Sequence, residues 1–564
     1  MTAAASPQGG DVLARARHWL DQDPDPQTRA ELKQLIDAAA TEAGLAALAA
    51  RFAGRLAFGT AGLRGELGAG PLRMNRVLVS QSAVGLARYL QARTPERTPS
   101  VVIGYDGRKN SRIFAEDTAE LMAGAGIRAI LLPRLLPTPV LAFAVRHLGC
   151  DAGVMVTASH NPARDNGYKV YLGGEDQGSQ IVAPADSAIS ACILGVAETE
   201  LVPALPRARY ELADEEMVEA YVRATASVSR GVAGTLSWTY TAMHGVGWDT
   251  LRQVLDAAGL PQPTTVAEQI APDPEFPTVA FPNPEEPGAL DLAVATASAS
   301  GSDLIVASDP DADRLAVAIP DSAAADGWRR LSGNEVGILL GARAADRVRA
   351  TGGTGMLACS LVSTPALRAI AEAAGLGFTE TLTGFKWISR TPGLSFGFEE
   401  ALGYLVNPGT VRDKDGLSAA VDFLAMVLEL KAAGRSVADR LRELDGRIGA
   451  FASSQVSARF DDLAEVPRVM ARIRSALPTE LGGHPVESVD DFRNGFGPFP
   501  PNDILRLWLA GGSRVVIRPS GTEPKLKVYI DAASTVGDAA QRRASAEAVV
   551  ADLAAAVRPL LNPS

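Results

Sequence analysis

The chain has 564 residues, too many for one hydrophobic core, and this length corresponds to roughly three to four domains. Hydrophobic residues at 47% and charged residues at 21% are the make-up of a soluble globular protein. A net charge of −11 argues against nucleic-acid or anionic-membrane partners, because both need a basic face. The cysteines (Cys150, Cys192, Cys359) are widely spaced in apolar settings and read as reduced core residues. No apolar run reaches the length of a membrane span and the N-terminus carries no signal pattern, so a cytoplasmic protein is expected.

Taken in order, residues 11–52 place Val12, Ala16, Trp19-Leu20, Leu32, Leu35-Ile36 and Leu45–Leu48 at helical spacing, which predicts amphipathic helices. Phe58–Gly65 then sets three glycines around Arg64, an arrangement that lets backbone and guanidinium approach an anion. Residues 101–145 read as strand (Val101–Gly104), loop, helix (Ile113–Ala125), strand (Ile127–Leu132) and helix (Thr138–His147). The alternation recurs at Leu236–Ala307 and again from Met356, the mark of βαβ units with mostly parallel sheets. A proline-rich run over 261–287 suppresses helix and central strand, and is expected to be an ordered surface loop within the second section. Residues 452–564 change character, with β runs at Ile504–Leu509, Arg514–Arg518 and Leu526–Ile530 before an Ala-rich helix over 538–557. They predict a separate α+β domain.

Four stretches carry candidate chemistry. In the first, the apolar strand Val154–Val156 stops at Thr157-Ala-Ser159-His160-Asn161-Pro162, with Lys169 ten residues beyond the serine. This places one hydroxyl at the exposed end of a rigid strand, beside an imidazole and near an amine; an ordinary polar loop is the alternative. In the second, the strand Leu304–Ala307 leads into Asp309-Pro-Asp311-Ala-Asp313-Arg314. Three carboxylates at i, i+2 and i+4 repel one another, and a hard divalent cation, Mg²⁺ before zinc or copper, is the usual remedy. Arg314 stands where an EF-hand loop needs glycine and Pro320 where it needs glutamate, which argues against an EF-hand.

In the third, Arg518-Pro-Ser520-Gly521-Thr522-Glu-Pro-Lys525-Leu-Lys527 gathers a guanidinium, two hydroxyls and backbone N–H groups suited to a phosphate. No P-loop motif accompanies it, which argues against an ATP grip. In the fourth, Gly397-Phe-Glu399-Glu400-Ala401-Leu-Gly403-Tyr404 follows Thr383-Gly384-Phe-Lys386-Trp387; its paired acids could accept hydrogen bonds from sugar hydroxyls, or form a simple acidic turn.

T-A-S-H-N-P at 157–162, D-P-D-A-D-R at 309–314, G-F-E-E-A-L-G-Y at 397–404 and R-P-S-G-T-E-P-K at 518–525, in that order, resemble the α-D-phosphohexomutase superfamily. The likeness covers nearly the whole chain. It implies three α/β domains with mixed, mostly parallel sheets and a C-terminal α+β domain around a central cleft, here bounded at 1–208, 209–331, 332–451 and 452–564. By the same resemblance Ser159 would be the phosphoserine. Asp309, Asp311 and Asp313 would hold one Mg²⁺ per chain together with the Ser159 phosphate. Lys169 would be the general base, its pKa lowered by neighbouring cations, with His160 and Arg64 beside the transferring group. Arg314, Thr383, Gly384, Lys386, Glu399 and Glu400 would line the sugar site. Arg518, Ser520, Gly521, Thr522 and Lys527 would hold the phosphate that does not react.

The implied activity is interconversion of glucose 1-phosphate and glucose 6-phosphate through a phosphoserine, with glucose 1,6-bisphosphate as intermediate and activator, in a monomer or homodimer. F-G-T-A-G-L-R-G at 58–65 and T-G-F-K-W at 383–387 look like the branch that includes phosphoglucomutases and phosphopentomutases. Several branches carry G-E-x-S in the sugar loop, and here Ala401 replaces that serine, which leaves phosphomannomutase or phosphopentomutase activity as alternatives. A phosphatase of the haloacid-dehalogenase type, with Asp309 as nucleophile, is a further one, because a strand ending in D-x-D opens that superfamily. A sugar-phosphate sensor that keeps the fold without catalysis is the last.

Overall fold

The computed structural model describes residues 9–59, 62–462, 464–520 and 525–561. Its backbone divides into two compact units, Met1–Arg330 with Gly403–Ala425, and Leu331–Leu402 with Met426–Ser564. Among the described residues no helix is long and apolar enough to cross a membrane.

The first unit begins with helices where amphipathic ones were predicted, three in number: Gly9–Gln22, Pro26–Ala38 and Glu42–Phe52. Local chemistry fixes their starts. Asp25 accepts the Gln27 N–H with Pro26 as first helical residue, and Thr41 accepts the Gly44 N–H. Their apolar faces (Val12, Ala16, Trp19, Leu32, Leu48, Phe52) join one core with the first sheet. That sheet runs Leu63–Glu66, Asp165–Leu172, Ala152–Val156, Ser100–Tyr105, Arg128–Leu131 and Glu211–Leu212, with Ser179–Gln180 off its path. Ser100–Tyr105 pairs in parallel with both neighbours, as the strand–helix–strand pattern predicts. Asp165–Leu172, by contrast, returns antiparallel beside Ala152–Val156, so the chain doubles back just after Ser159.

The second sheet follows the order Trp328–Arg330, Ala316–Pro320, Leu304–Ala307, Trp238–Thr241 and Thr264–Thr265. Leu304–Ala307 is parallel to Trp238–Thr241 and antiparallel to Ala316–Pro320. The proline-rich run is ordered: it contributes Thr264–Thr265 to the sheet edge and buries Gln269 and Phe276.

Two glycines near the Ser159 loop are there for want of space. Gly62 sits at φ +76°, and a Cβ there would lie 1.8 Å from the Tyr168 carbonyl oxygen. At Gly167 a Cβ would lie 2.6 Å from the Thr157 carbonyl oxygen and 2.8 Å from that of Leu63. Gly62→Ala must therefore push backbone from backbone and hold a strained φ. It is expected to destabilise the chain by about 2 kcal/mol or more, read as a lowered urea midpoint with an unchanged slope.

In the second unit, Gly377–Thr381, Met356–Ser360 and Leu394–Glu399 form parallel pairs, flanked by the helices Gly333–Ala350 and Ala366–Ala374. The C-terminal sheet is antiparallel: Ala450–Arg459, Lys525–Ser534, Ser513–Pro519, Leu505–Leu509, His484–Asp491 and Glu480–Leu481. Helices Glu465–Ser475 and Ala539–Val557 complete its core through Val469, Met470, Ile473, Val550 and Leu553. The strand Ala450–Arg459 is faint in sequence, because its buried positions are the small Ala450, Ala452 and Val456 among serines.

Candidate active site

Two strand ends of the first unit meet at Ser159 and Asp309. Ser159 follows the strand Ala152–Val156 and adopts φ +52°, an uncommon conformation for a residue with a Cβ. Its N–H donates to the Thr157 hydroxyl at 2.8 Å. The backbone around it is held by Arg108, whose guanidinium donates to the carbonyl oxygens of Ser159 (2.6 Å), Asn161 (2.6 Å), Pro162 (2.8 Å) and Asp165 (3.1 Å). The Ser159 hydroxyl donates to Asp309 Oδ2 at 2.8 Å and lies 3.2 Å from His160 Nδ1. Ser159 is 2% exposed, so the expectation of an exposed hydroxyl is corrected: Asp309 covers the side chain that the strand end presents.

Asp309, Asp311 and Asp313 follow the strand Leu304–Ala307 on a turn that places Ala312 at φ +54°. All three are fully buried, and each offers an oxygen within 4.8 Å of the others. Asp309 Oδ1 accepts the Arg314 N–H at 3.0 Å. Asp311 Oδ2 accepts the Thr138 hydroxyl at 2.6 Å and Lys169 Nζ at 2.7 Å. Asp313 Oδ2 accepts Lys169 Nζ at 2.9 Å and Lys414 Nζ at 2.5 Å. Lys169 reaches this cluster because the antiparallel strand Asp165–Leu172 brings it back alongside the Ser159 strand. Arg64 Nη1 donates to Asn161 Oδ1 at 3.3 Å, on the same loop.

The charges shift one another. Burial and the neighbouring Asp313 and Asp311 carboxylates push the Asp309 carboxyl well above its usual range. Burial pushes Asp311 upward too, but Lys169 and Lys414 outweigh it and hold Asp311 well below that range. His160 is driven well below its ordinary value by burial, then by Arg314 and Arg64, so its imidazole is neutral at neutral pH. For Lys169, burial favours the neutral amine, yet Asp311 and Asp313 reverse this and raise its pKa. The expected lowering of Lys169 is thus not seen here, because its nearest partners are carboxylates rather than cations.

A cation suits these residues. Among the described residues Oδ1 of Asp311 and Oδ1 of Asp313 are buried without a hydrogen-bond partner, and a buried anionic oxygen left so is costly. Clustered carboxylate oxygens next to a hydroxyl are a hard donor set, the kind that holds Mg²⁺.

The other predicted residues lie in the second unit. Gly384, at φ +113°, donates its N–H to Glu399 Oε1 at 2.6 Å. Thr383 and Lys386 flank Gly384 and are half-buried. The Glu400 carboxylate is taken by hydroxyls, accepting from Ser360 at 3.2 Å and Ser363 at 3.0 Å. Arg518 and Lys527 face each other in register on adjacent strands, and the Ser520 N–H donates to the Lys525 carbonyl at 2.8 Å. Gly521 and Thr522 lie outside the described residues.

Arg108, Thr138 and Lys414 were missing from the expected set. Lys414 sits in Asp413-Lys-Asp415-Gly416, where Asp413 accepts from the Tyr171 hydroxyl at 2.9 Å and from Gln180 Nε2 at 2.8 Å, while Asp415 accepts the Tyr221 hydroxyl at 3.0 Å. Gly416 lets this segment approach the turn that carries Asp309, Asp311 and Asp313, since a Cβ there would lie 2.3 Å from the Arg314 carbonyl oxygen. The run of alternating charges was the available signal.

Four family descriptions match in chain order: "Phosphoglucomutase/phosphomannomutase, alpha/beta/alpha domain I" over residues 55–200, domain II over 218–322, domain III over 332–445, and the C-terminal domain over 455–548. The chain is 53% identical over 460 residues to a protein of Haemophilus influenzae named "Probable phosphomannomutase", covering 81% of this chain and 93% of that protein. It is 34% identical over 598 residues to the phosphopentomutase of Homo sapiens, covering 95% and 94%. A phosphoglucomutase of Staphylococcus epidermidis is 34% identical over 504 residues, covering 84% and 90%. With each of the four domains matched and relatives this similar spanning most of its length, the chain belongs to the phosphoglucomutase/phosphomannomutase family of phosphomutases, isomerases that act as intramolecular phosphotransferases.

Proposed function

We propose that the chain interconverts glucose 1-phosphate and glucose 6-phosphate, using Ser159 as phosphoryl carrier and a hexose 1,6-bisphosphate as intermediate. The observation that carries this reading is the buried meeting of the Ser159 hydroxyl with Asp309 at 2.8 Å, beside Asp311 and Asp313 bridged by Lys169. Phosphorylation of Ser159 would add about two negative charges there. The cations set against them are Lys169, Lys414, Arg314 and Arg64.

Asp309, Asp311 and Asp313 would hold one Mg²⁺, with a phosphate oxygen on Ser159 as a further ligand. When bound, Mg²⁺ supplies charge neutralisation and a Lewis acid for the phosphoryl oxygens. The rest of the reading concerns side chains. The bond between phosphorus and Ser159 Oγ breaks as one forms to a sugar hydroxyl oxygen; Lys169 would take that oxygen's proton only after its ammonium, held charged here by Asp311 and Asp313, has given up one of its own. The bisphosphate then returns its other phosphoryl group to Ser159. Neutral His160 can donate one hydrogen bond to the transferring group without adding charge, and Arg64 and Arg314 supply guanidinium charge.

The pairing of Glu399 with the Gly384 N–H supports it as acceptor for sugar hydroxyls. The hydrogen bonds to Ser360 and Ser363 support Glu400 as the residue that holds this turn. Arg518, Ser520 and Lys527, with Gly521 and Thr522, are proposed to hold the phosphate that does not react, and Thr383 and Lys386 to line the sugar site. Domain limits at 208, 331 and 451 belong to the same proposal. A phosphatase with Asp309 as nucleophile is less well supported, since the Asp309 carboxylate already accepts the Ser159 hydroxyl and the Arg314 N–H.

Relatives named for mannose, pentose and glucose phosphates share this family, so the sugar is settled by assay. In a panel of α-D-sugar 1-phosphates followed by ³¹P NMR with Mg²⁺ and a trace of glucose 1,6-bisphosphate, glucose 1-phosphate should give the highest kcat/KM. A higher value for mannose 1-phosphate or ribose 1-phosphate overturns the choice of sugar and leaves the phosphoserine chemistry standing.

A further inference from the structure

The proline-rich run 261–287 reaches the Arg108 guanidinium through one aromatic ring. Phe276 is 4% exposed, and the guanidinium carbon of Arg108 lies 4.9 Å from its ring centroid. This is the guanidinium that donates to four carbonyl oxygens between Ser159 and Asp165. Arg108 is itself 4% exposed, and among the described residues its carboxylate partner, Asp106, stands 3.6 Å away. A buried guanidinium over an aromatic face gains more than an exposed one, because water no longer competes for the charge.

The ring is held deliberately. Phe276 adopts φ +46°, which is rare for a bulky residue and persists only where the surroundings impose it. Those surroundings are identifiable. The His244 ring meets Phe276 edge-on at 6.4 Å, and His244 Nε2 bonds to the Thr278 hydroxyl at 2.8 Å. The Asp273 N–H donates to the His244 carbonyl at 3.1 Å, and the Phe276 N–H to that of Asp273 at 3.2 Å. At Gly107, beside Arg108, a Cβ would lie 3.0 Å from Pro272, so the run packs directly on the Arg108 loop.

We propose that Phe276 is a positioning residue for phosphoryl transfer: by covering the Arg108 guanidinium it keeps that fork aligned on the carbonyls that hold Ser159 in its left-handed conformation. Its kinetic consequence rests on the reading of Ser159 as phosphoryl carrier, whereas its consequence for the loop does not.

Phe276→Leu keeps apolar bulk and removes the ring face; Phe276→Tyr keeps the ring. Hydrogen exchange of the full-length chain, followed by mass spectrometry on peptides covering 157–167, tests the loop without any sugar. Phe276→Leu should exchange there at least about threefold faster than the parent, with Phe276→Tyr at the parent rate. With a turned-over phosphosugar, Phe276→Leu should lose about tenfold in kcat with KM unchanged, and Phe276→Tyr should restore it. Equal losses in both variants, or unchanged exchange in Phe276→Leu, overturn the proposal. Altered exchange in a chain that isomerises no phosphosugar would support the hold of Phe276 on the loop while removing the proposed function and, with it, the kinetic half of the proposal.

Discussion

Ser159→Ala is expected to lower phosphosugar isomerisation by at least about ten-thousandfold, a loss of the size seen when the nucleophile of a covalent mechanism is removed. The variant is a clean one structurally. The Thr157 hydroxyl still receives the N–H of residue 159, and Arg108 still donates to its carbonyl. Asp309 loses one donor and keeps the Arg314 N–H. Alanine meets the same φ of +52° with the same Cβ as serine, so folding should change little. Intact-mass measurement after incubation with glucose 1,6-bisphosphate should show one phosphoryl group on the parent chain and none on the variant. Full turnover by Ser159→Ala would reject the phosphoserine reading and return attention to Asp309 as nucleophile.

The parts of this site that were legible in sequence are those written in consecutive residues. Ser159 and the aspartates at 309, 311 and 313 announce themselves because each group follows an apolar strand and ends it with chemistry. The parts that stayed hidden depend on long-range closure. Thr138 meets Asp311 across 173 positions and Lys414 meets Asp313 across 101, and no local pattern links either pair. Arg108 was visible only as one basic residue in a loop, although it holds four carbonyls more than fifty positions away. The exposure of Ser159 was misjudged for the same reason: one strand end, read alone, looks open to solvent until the second is known to face it. In the fold, strand–helix–strand sections were evident from alternating apolar runs. The antiparallel return at Asp165–Leu172 was not, since its polar start, Asp165-Asn166-Gly167, reads as turn.

Removal of Mg²⁺ by a chelator should abolish activity, and Asp311→Asn should raise the Mg²⁺ dissociation constant, read by calorimetry, with at least about a hundredfold loss of kcat. Even partners one step removed from a metal commonly cost tenfold to a hundredfold, and Asp311 would touch the ion itself. Asn fits the place: the Thr138 hydroxyl can still donate to its amide oxygen, and the Thr138 N–H keeps the carbonyl of residue 311 at 3.0 Å. What is lost is the charge, including the buried Oδ1 that has no partner among the described residues. Lys169 provides the control, because its ammonium bonds Asp311 and Asp313 at Oδ2 and so competes with a cation for the charge on their oxygens. Lys169→Met should also reduce kcat, but it removes a competitor for those oxygens, so Mg²⁺ should bind as tightly as in the parent or more so. Binding that holds the native state must raise the melting temperature with Mg²⁺ concentration in the parent and in Lys169→Met, and much less in Asp311→Asn. Undiminished Mg²⁺ affinity in Asp311→Asn, or equal weakening in Lys169→Met, would place the ion elsewhere.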